Sequence, residues 1–139
     1  MDVSDEQRRQ IAEIAEKYCL QIVLLFGSSI GGKSHACSDL DIAVQSARRP
    51  PDFGRRAELL HDLQIVFSGC EVDLSLINHA DPLFLKRITE NCLVLFGQPR
   101  EIQELKIYAF KRYQDHRRYL DMERAYLERF LRERAGPHD

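Results

Sequence analysis

"LLFGSSIGGKSHACSDLDIAV", residues 24–44, decides how the rest of the chain is read. An apolar run of strand character stops at Gly27. From that glycine two patterns overlap. Residues Gly27 to Ser34 spell G-x-x-x-x-G-K-S, the form of a P-loop. Gly27 and Ser28 also open Gly-Ser, ten residues, then Asp39-x-Asp41. The first pattern belongs with cleavage of a nucleoside triphosphate at its γ-phosphate. The second sets a tight turn beside two carboxylates and suits attack at the α-phosphate.

The P-loop requires a strand, a glycine-rich turn and then a helix whose N-terminus and loop amides surround the phosphates. Only His35, Ala36, Cys37 and Ser38 separate Gly-Lys-Ser from the next acidic segment. A parallel crossover with its helix takes about ten to twelve residues. Four residues cannot carry that helix, and Asp39 and Asp41 stand at the wrong end of their strand for a P-loop magnesium ligand. The P-loop match is set aside as accidental.

The second pattern has room. Gly27 lets the chain turn sharply and bring amides close to a phosphate, and Ser28 adds a hydroxyl donor. The following residues can form a short helix whose N-terminus favours an anion. On a strand, Asp39 and Asp41 point to one face while Leu40, Ile42 and Val44 point to the core. Two carboxylates a few ångströms apart repel unless a cation lies between them. Magnesium is the expected ion, since it is bound by carboxylates together with substrate phosphates. A two-ion site needs a further ligand, and "EVDLSLI", residues 71–77, offers one. If this strand lies beside the first, Asp73 completes a carboxylate triad, with Glu71 second in rank on the same face.

Outward from these segments the chain reads as mixed α/β. Ser4 and Gln7 form a capping box for a first helix that buries Ile11, Ile14, Ala15 and Tyr18. Strands are expected at 21–26, 40–45, 71–77 and 92–96, the second closed by Pro50-Pro51. Asp52 caps a helix over about 53–67, and Asp81-Pro82 opens a short one. The expected division is a core of residues 1–98 and a helical extension of residues 99–139. In the extension Ile102, Leu105, Ala109, Tyr113, His116, Leu120, Leu127 and Phe130 recur at helical spacing. A break near "QDHRR" is expected there, with Leu105, Leu120 and Leu127 packing over the sheet.

The 139 residues suit one domain. The net charge of −2 lacks the basic excess of a nucleic-acid binder, so no direct nucleic-acid contact is expected. The acidic N-terminus does not read as a signal peptide, and the apolar runs are too short to span a membrane. The four cysteines, Cys19, Cys37, Cys70 and Cys92, form no C-x-x-C pair and read as small buried thiols in a reducing cytoplasm. Residues 100–139 hold ten Lys/Arg, eight Asp/Glu and six of the twelve aromatic residues. Arg117, Arg118, Tyr119 and Tyr126 make that extension a candidate docking surface.

"LLFGSS", "SDLDIAV" and "CEVDLSLI", in that order and spacing, resemble the DNA polymerase β-type nucleotidyltransferase superfamily. The resemblance covers about residues 10–96, and the small size points to the minimal nucleotidyltransferase (MNT) branch. It implies a small mixed sheet flanked by helices. Members of that branch commonly serve as the antitoxin of a HEPN/MNT toxin–antitoxin pair. The resemblance therefore implies Mg-dependent transfer of AMP from ATP to a tyrosine of a HEPN ribonuclease, with release of pyrophosphate, in a hetero-oligomer with that toxin. It assigns Gly27 and Ser28 to the phosphate-binding turn, Asp39 and Asp41 to the metals, and Asp73 to the third carboxylate. Two magnesium ions are implied, one activating the acceptor hydroxyl and one stabilising the departing pyrophosphate. Relatives often carry arginines after the Gly-Ser pair; here Ser29 and Gly31 stand instead, leaving Lys33 as the candidate cation beside Ser29.

Rival readings differ in what they release or require. An aminoglycoside-type nucleotidyltransferase shares the core but usually needs a further substrate region. A non-catalytic antitoxin would neutralise by binding alone. A HEPN nuclease would carry R-x-x-x-x-H; Arg56 and His61 have that spacing, but on a helix between two strands. The segment "KRYQDHRRY" misses it by one residue.

Overall fold

The computed structural model describes residues 2–27 and 39–135. Four strands, β1 (Leu20–Phe26), β2 (Leu40–Ser46), β3 (Val72–Leu76) and β4 (Cys92–Phe96), form one sheet in the order β3-β2-β1-β4. β1 runs antiparallel to both β2 and β4, whereas β2 and β3 are parallel. The parallel pair is joined through a helix, α2 (Phe53–Val66), because a parallel strand cannot return through a tight turn. The sheet is thus mixed, as the resemblance implied.

Helices cover both faces. On one side α1 (Asp5–Lys17) and α2 bring Ile11, Ile14, Leu59 and Leu63 against Val23, Leu25, Leu40, Ile42 and Val44. On the other, α3 (Pro82–Glu90) and the start of α4 (Pro99–Arg134) bring Leu85, Ile88, Ile102 and Leu105 against Ile22, Leu24 and Ala43. Burial on both faces explains why β1 reads as an unbroken apolar run rather than an alternating one. Each helix start is fixed locally. Ser4 and Gln7 exchange both bonds of the capping box, Asp52 accepts from the Arg55 amide at 2.8 Å, and Asp81 accepts from the Leu83 amide at 2.9 Å.

α4 departs from expectation. It is one continuous helix of 36 residues, roughly 54 Å long at 1.5 Å per residue, with no break near residues 114–118. Residues 100–134 contain no glycine or proline, so nothing in the backbone chemistry interrupts the ladder. Only its first turns meet the sheet. Leu105 is buried there, but Leu120 is 44% and Leu127 49% exposed, so these two do not pack over the sheet.

The cysteines also differ from the sequence reading. Cys70 is buried and disulfide-bonded rather than a free thiol, Cys92 is half-buried, and Cys19 is exposed. Cys19 occupies the turn between α1 and β1 with φ +54°, the left-handed region uncommon for a residue with a side chain.

Candidate active site

The parallel register of β2 and β3 builds the site. Asp41 pairs with Asp73, so the two carboxylates lie side by side on the face that α3 and α4 cover elsewhere. Leu40 and Ile42 on β2, and Val72 and Leu74 on β3, point into the opposite core. Asp39 immediately precedes β2 and is exposed. Asp73 is exposed and Asp41 partly buried. Burial pushes the Asp41 carboxyl above the usual carboxylate range, and the charges of Asp73 and then Asp39 push it further. The three carboxylates expected from the sequence are therefore near enough to sense one another.

Across β1, Asp41 also pairs with Phe26, the last residue before Gly27. Gly27 has φ +89°, where a side chain is strained. A Cβ there would fall onto the Asp41 Oδ2 and lie 3.2 Å from its Cγ. Both backbone conformation and space require glycine, which lets the turn lie directly against the carboxylate. Ser28, Ser29 and Lys33, the other residues expected to hold phosphates, lie outside the described residues.

Phe26, Gly27 and Asp41 form one wall of a cavity of about 330 Å³. The rest of its lining comes from α3 and the residue after it: Phe84, Arg87, Ile88 and Asn91. Phe84 stands edge-on to Phe26, with ring centroids 5.7 Å apart. Sequence reasoning missed this part of the lining. Arg87 in the last turn of a short amphipathic helix looks like an ordinary complement to the helix dipole, and only the packing of α3 over β1 brings it to the carboxylate rim.

The donor set suits magnesium. Asp39, Asp41 and Asp73 all offer hard carboxylate oxygen, and the like charges around Asp41 call for a cation. Among the described residues no three ligating groups converge into a preformed cage.

Arg56, one half of the R-x-x-x-x-H spacing, donates to the Leu74 carbonyl at 3.2 Å. It fastens α2 to β3 and is a structural residue. Glu71 is exposed just before β3, and its carbonyl accepts from the Leu40 amide at 2.7 Å.

The family model described as "Polymerase beta, Nucleotidyltransferase" matches residues 9–101. The chain belongs to that family. The match spans both aspartate strands and Gly27. No curated protein matches the chain. Among solved structures, the chain is similar to one in the crystal structure of a toxin–antitoxin with AMP-PNP, with 25% identity and a TM-score of 0.69 over 89% of this chain and 97% of the other. It is also similar to a chain in the complex of tri-AMPylated Shewanella oneidensis HEPN toxin with MNT antitoxin, at 23% identity and a TM-score of 0.64 over 91% of this chain and 96% of that one. A chain of the MntA–HepT toxin–antitoxin aligns at 22% identity and a TM-score of 0.65 over 92% and 98%. At these last two identities the likeness speaks to the fold. No helix among the described residues is long and apolar enough to cross a membrane.

Proposed function

We propose that this chain is the MNT antitoxin of a toxin–antitoxin pair and transfers AMP from ATP to a tyrosine of a partner HEPN toxin in the cytoplasm. The observation that carries the reading is the rim itself: Asp41 set beside Asp73 by strand register, with Gly27 pressed against Asp41 at the mouth of a cavity. The likeness to chains of toxin–antitoxin complexes, one with AMP-PNP and one with an AMPylated toxin, supports the nucleotide and the partner.

Asp39 and Asp41 would hold two magnesium ions, with Asp73 as third carboxylate and Gly27, Ser28, Ser29 and Lys33 continuing the phosphate-binding turn. When bound, the ions neutralise charge at the α-phosphate and on the departing pyrophosphate. In the transfer the tyrosine oxygen bonds to the α-phosphorus, and the bond from that phosphorus to the β-phosphate oxygen breaks. Pyrophosphate leaves with the electron pair, and the phenolic proton passes to the exposed Asp73 carboxylate. Holding both reactants in line is the main task of so small a site.

The extension of residues 99–139 is the proposed partner surface. Beyond its first turns α4 is exposed, and Tyr119, Met122, Tyr126 and Phe130 recur on one side of it. Met122 and Tyr126 are each 67% exposed, more than a solitary chain gains from displaying. A hetero-oligomer with the toxin would cover that side.

The deciding experiment is the intact mass of the neighbouring gene's protein after incubation with this chain, ATP and magnesium. A gain of one or more AMP units, absent with the Asp39→Asn/Asp41→Asn variant, is the expected result. A stable complex with no mass gain would overturn catalysis and leave neutralisation by binding.

A further inference from the structure

The cavity beside Asp41 is lined by side chains of opposite charge. Asp41 and Arg87 both line it. Arg87 is exposed, and it makes no hydrogen bond or ion pair with any described residue, unlike Arg8, Arg9, Arg55 and Arg56. An arginine side chain bears five N–H donors in a fixed fork suited to phosphate. A guanidinium and a carboxylate lining one small cavity attract each other, yet Arg87 and Asp41 form no ion pair. A ligand that bridges them must offer cation-coordinating oxygens to the carboxylates and an anionic group to the arginine. A magnesium-bound nucleoside triphosphate has both. Phe84 and Ile88 give the same cavity an apolar lining, which suits the base or ribose rather than a bare phosphate.

We propose that Arg87, which lines this cavity together with Asp41, is a cation contacting the phosphates of the bound nucleotide from the α3 side. The assignment rests on the nucleotidyltransferase reading above and adds a binding residue to it. It also answers a question the sequence raised. The turn after Gly27-Ser28 lacks arginines, and Arg87 supplies a guanidinium from a different element. Because Arg87 stands in the last turn of α3, its backbone position is fixed by Leu85 and Ile88, which anchor that helix in the core.

Isothermal titration of the purified chain with ATP and magnesium at several salt concentrations tests this. Loss of one charged phosphate contact should weaken ATP binding roughly 10- to 100-fold in Arg87→Ala. It should also flatten the salt dependence of the affinity, since one fewer charge pair is screened. Arg87→Lys, which keeps the charge, should retain the wild-type salt slope. Circular dichroism and thermal melting should be unchanged in both variants because Arg87 is exposed. Wild-type binding in Arg87→Ala would overturn the inference and leave the proposed function intact. Weakened binding with an unchanged salt slope would assign Arg87 a structural role and overturn it as well. Failure of the wild-type chain to bind ATP at all would overturn the nucleotidyltransferase reading, and this inference with it.

Discussion

Asp41 and Asp62 are carboxylates on opposite sides of the sheet, and the fold treats them in opposite ways. Asp62 on α2 accepts from the Tyr18 hydroxyl at 2.6 Å and from Lys17 Nζ at 3.0 Å. The Arg55 guanidinium lies 4.3 Å from the Tyr18 ring centroid and donates to the Lys17 carbonyl at 3.1 Å. Together these contacts clasp α1 to α2. The Tyr18 hydroxyl bond, aided by Lys17, holds the Asp62 carboxyl below the usual carboxylate range. Among the described residues Asp41 has no such donor; burial and two neighbouring carboxylates hold it above that range. A carboxylate whose charge is already satisfied does structural work. One left in a field of like charge is poised for a cation from outside.

The comparison breaks most severely at Gly27. An Ala there must adopt φ +89° and place its Cβ on the Asp41 carboxylate, so Gly27→Ala should cost on the order of 1–3 kcal/mol in urea unfolding and weaken ATP binding in parallel. Unchanged stability and binding would show that the close approach of turn and carboxylate is unimportant.

A smaller effect is expected from the clasp. Asp62→Asn should destabilise by about 1 kcal/mol at pH 7, the scale of one charged hydrogen bond partly open to water. A carboxyl depressed by folding stabilises above its unfolded pKa, and that benefit is lost as the pH falls through its folded pKa. The deficit of Asp62→Asn relative to wild type should therefore shrink to nothing in acid. A deficit that persists at low pH would mean lost packing rather than lost charge.

The smallest effect runs the other way. A carboxyl raised by folding is best tolerated below its unfolded pKa, and stability falls as the pH rises through the folded value. Without divalent cations, Asp41→Asn should therefore melt slightly higher than wild type at pH 7, by roughly a degree or two. The difference should vanish in acid. Added magnesium and ATP should raise the melting temperature of the wild type and leave that of Asp41→Asn nearly unmoved. Equal melting of the two apo proteins at pH 7 would remove the contrast with Asp62.

Much of the fold was local and so legible. The capping residues Ser4, Asp52 and Asp81, the burial of Leu40, Ile42 and Val44, and the four strands all follow from spacing and side-chain chemistry. The continuity of α4 was misread: a break near 114–118 was expected from the polar residues there, although residues 100–134 hold no glycine or proline to cause one. Helices this polar persist because backbone hydrogen bonds continue wherever nothing removes a donor or forces a turn.

The sequence by itself determined which residues could meet a metal-bound nucleotide. Gly27, Asp39, Asp41 and Asp73 announce themselves because turn chemistry and strand alternation are rules of neighbouring residues. Tertiary structure alone decided that Asp41 and Asp73 share a register, that Gly27 lies against Asp41, and that Arg87 lines one cavity with Gly27 and Asp41. Those facts join elements up to about sixty residues apart in the chain. They depend on the order of strands in the sheet and on which face α3 covers, and no local pattern encodes either.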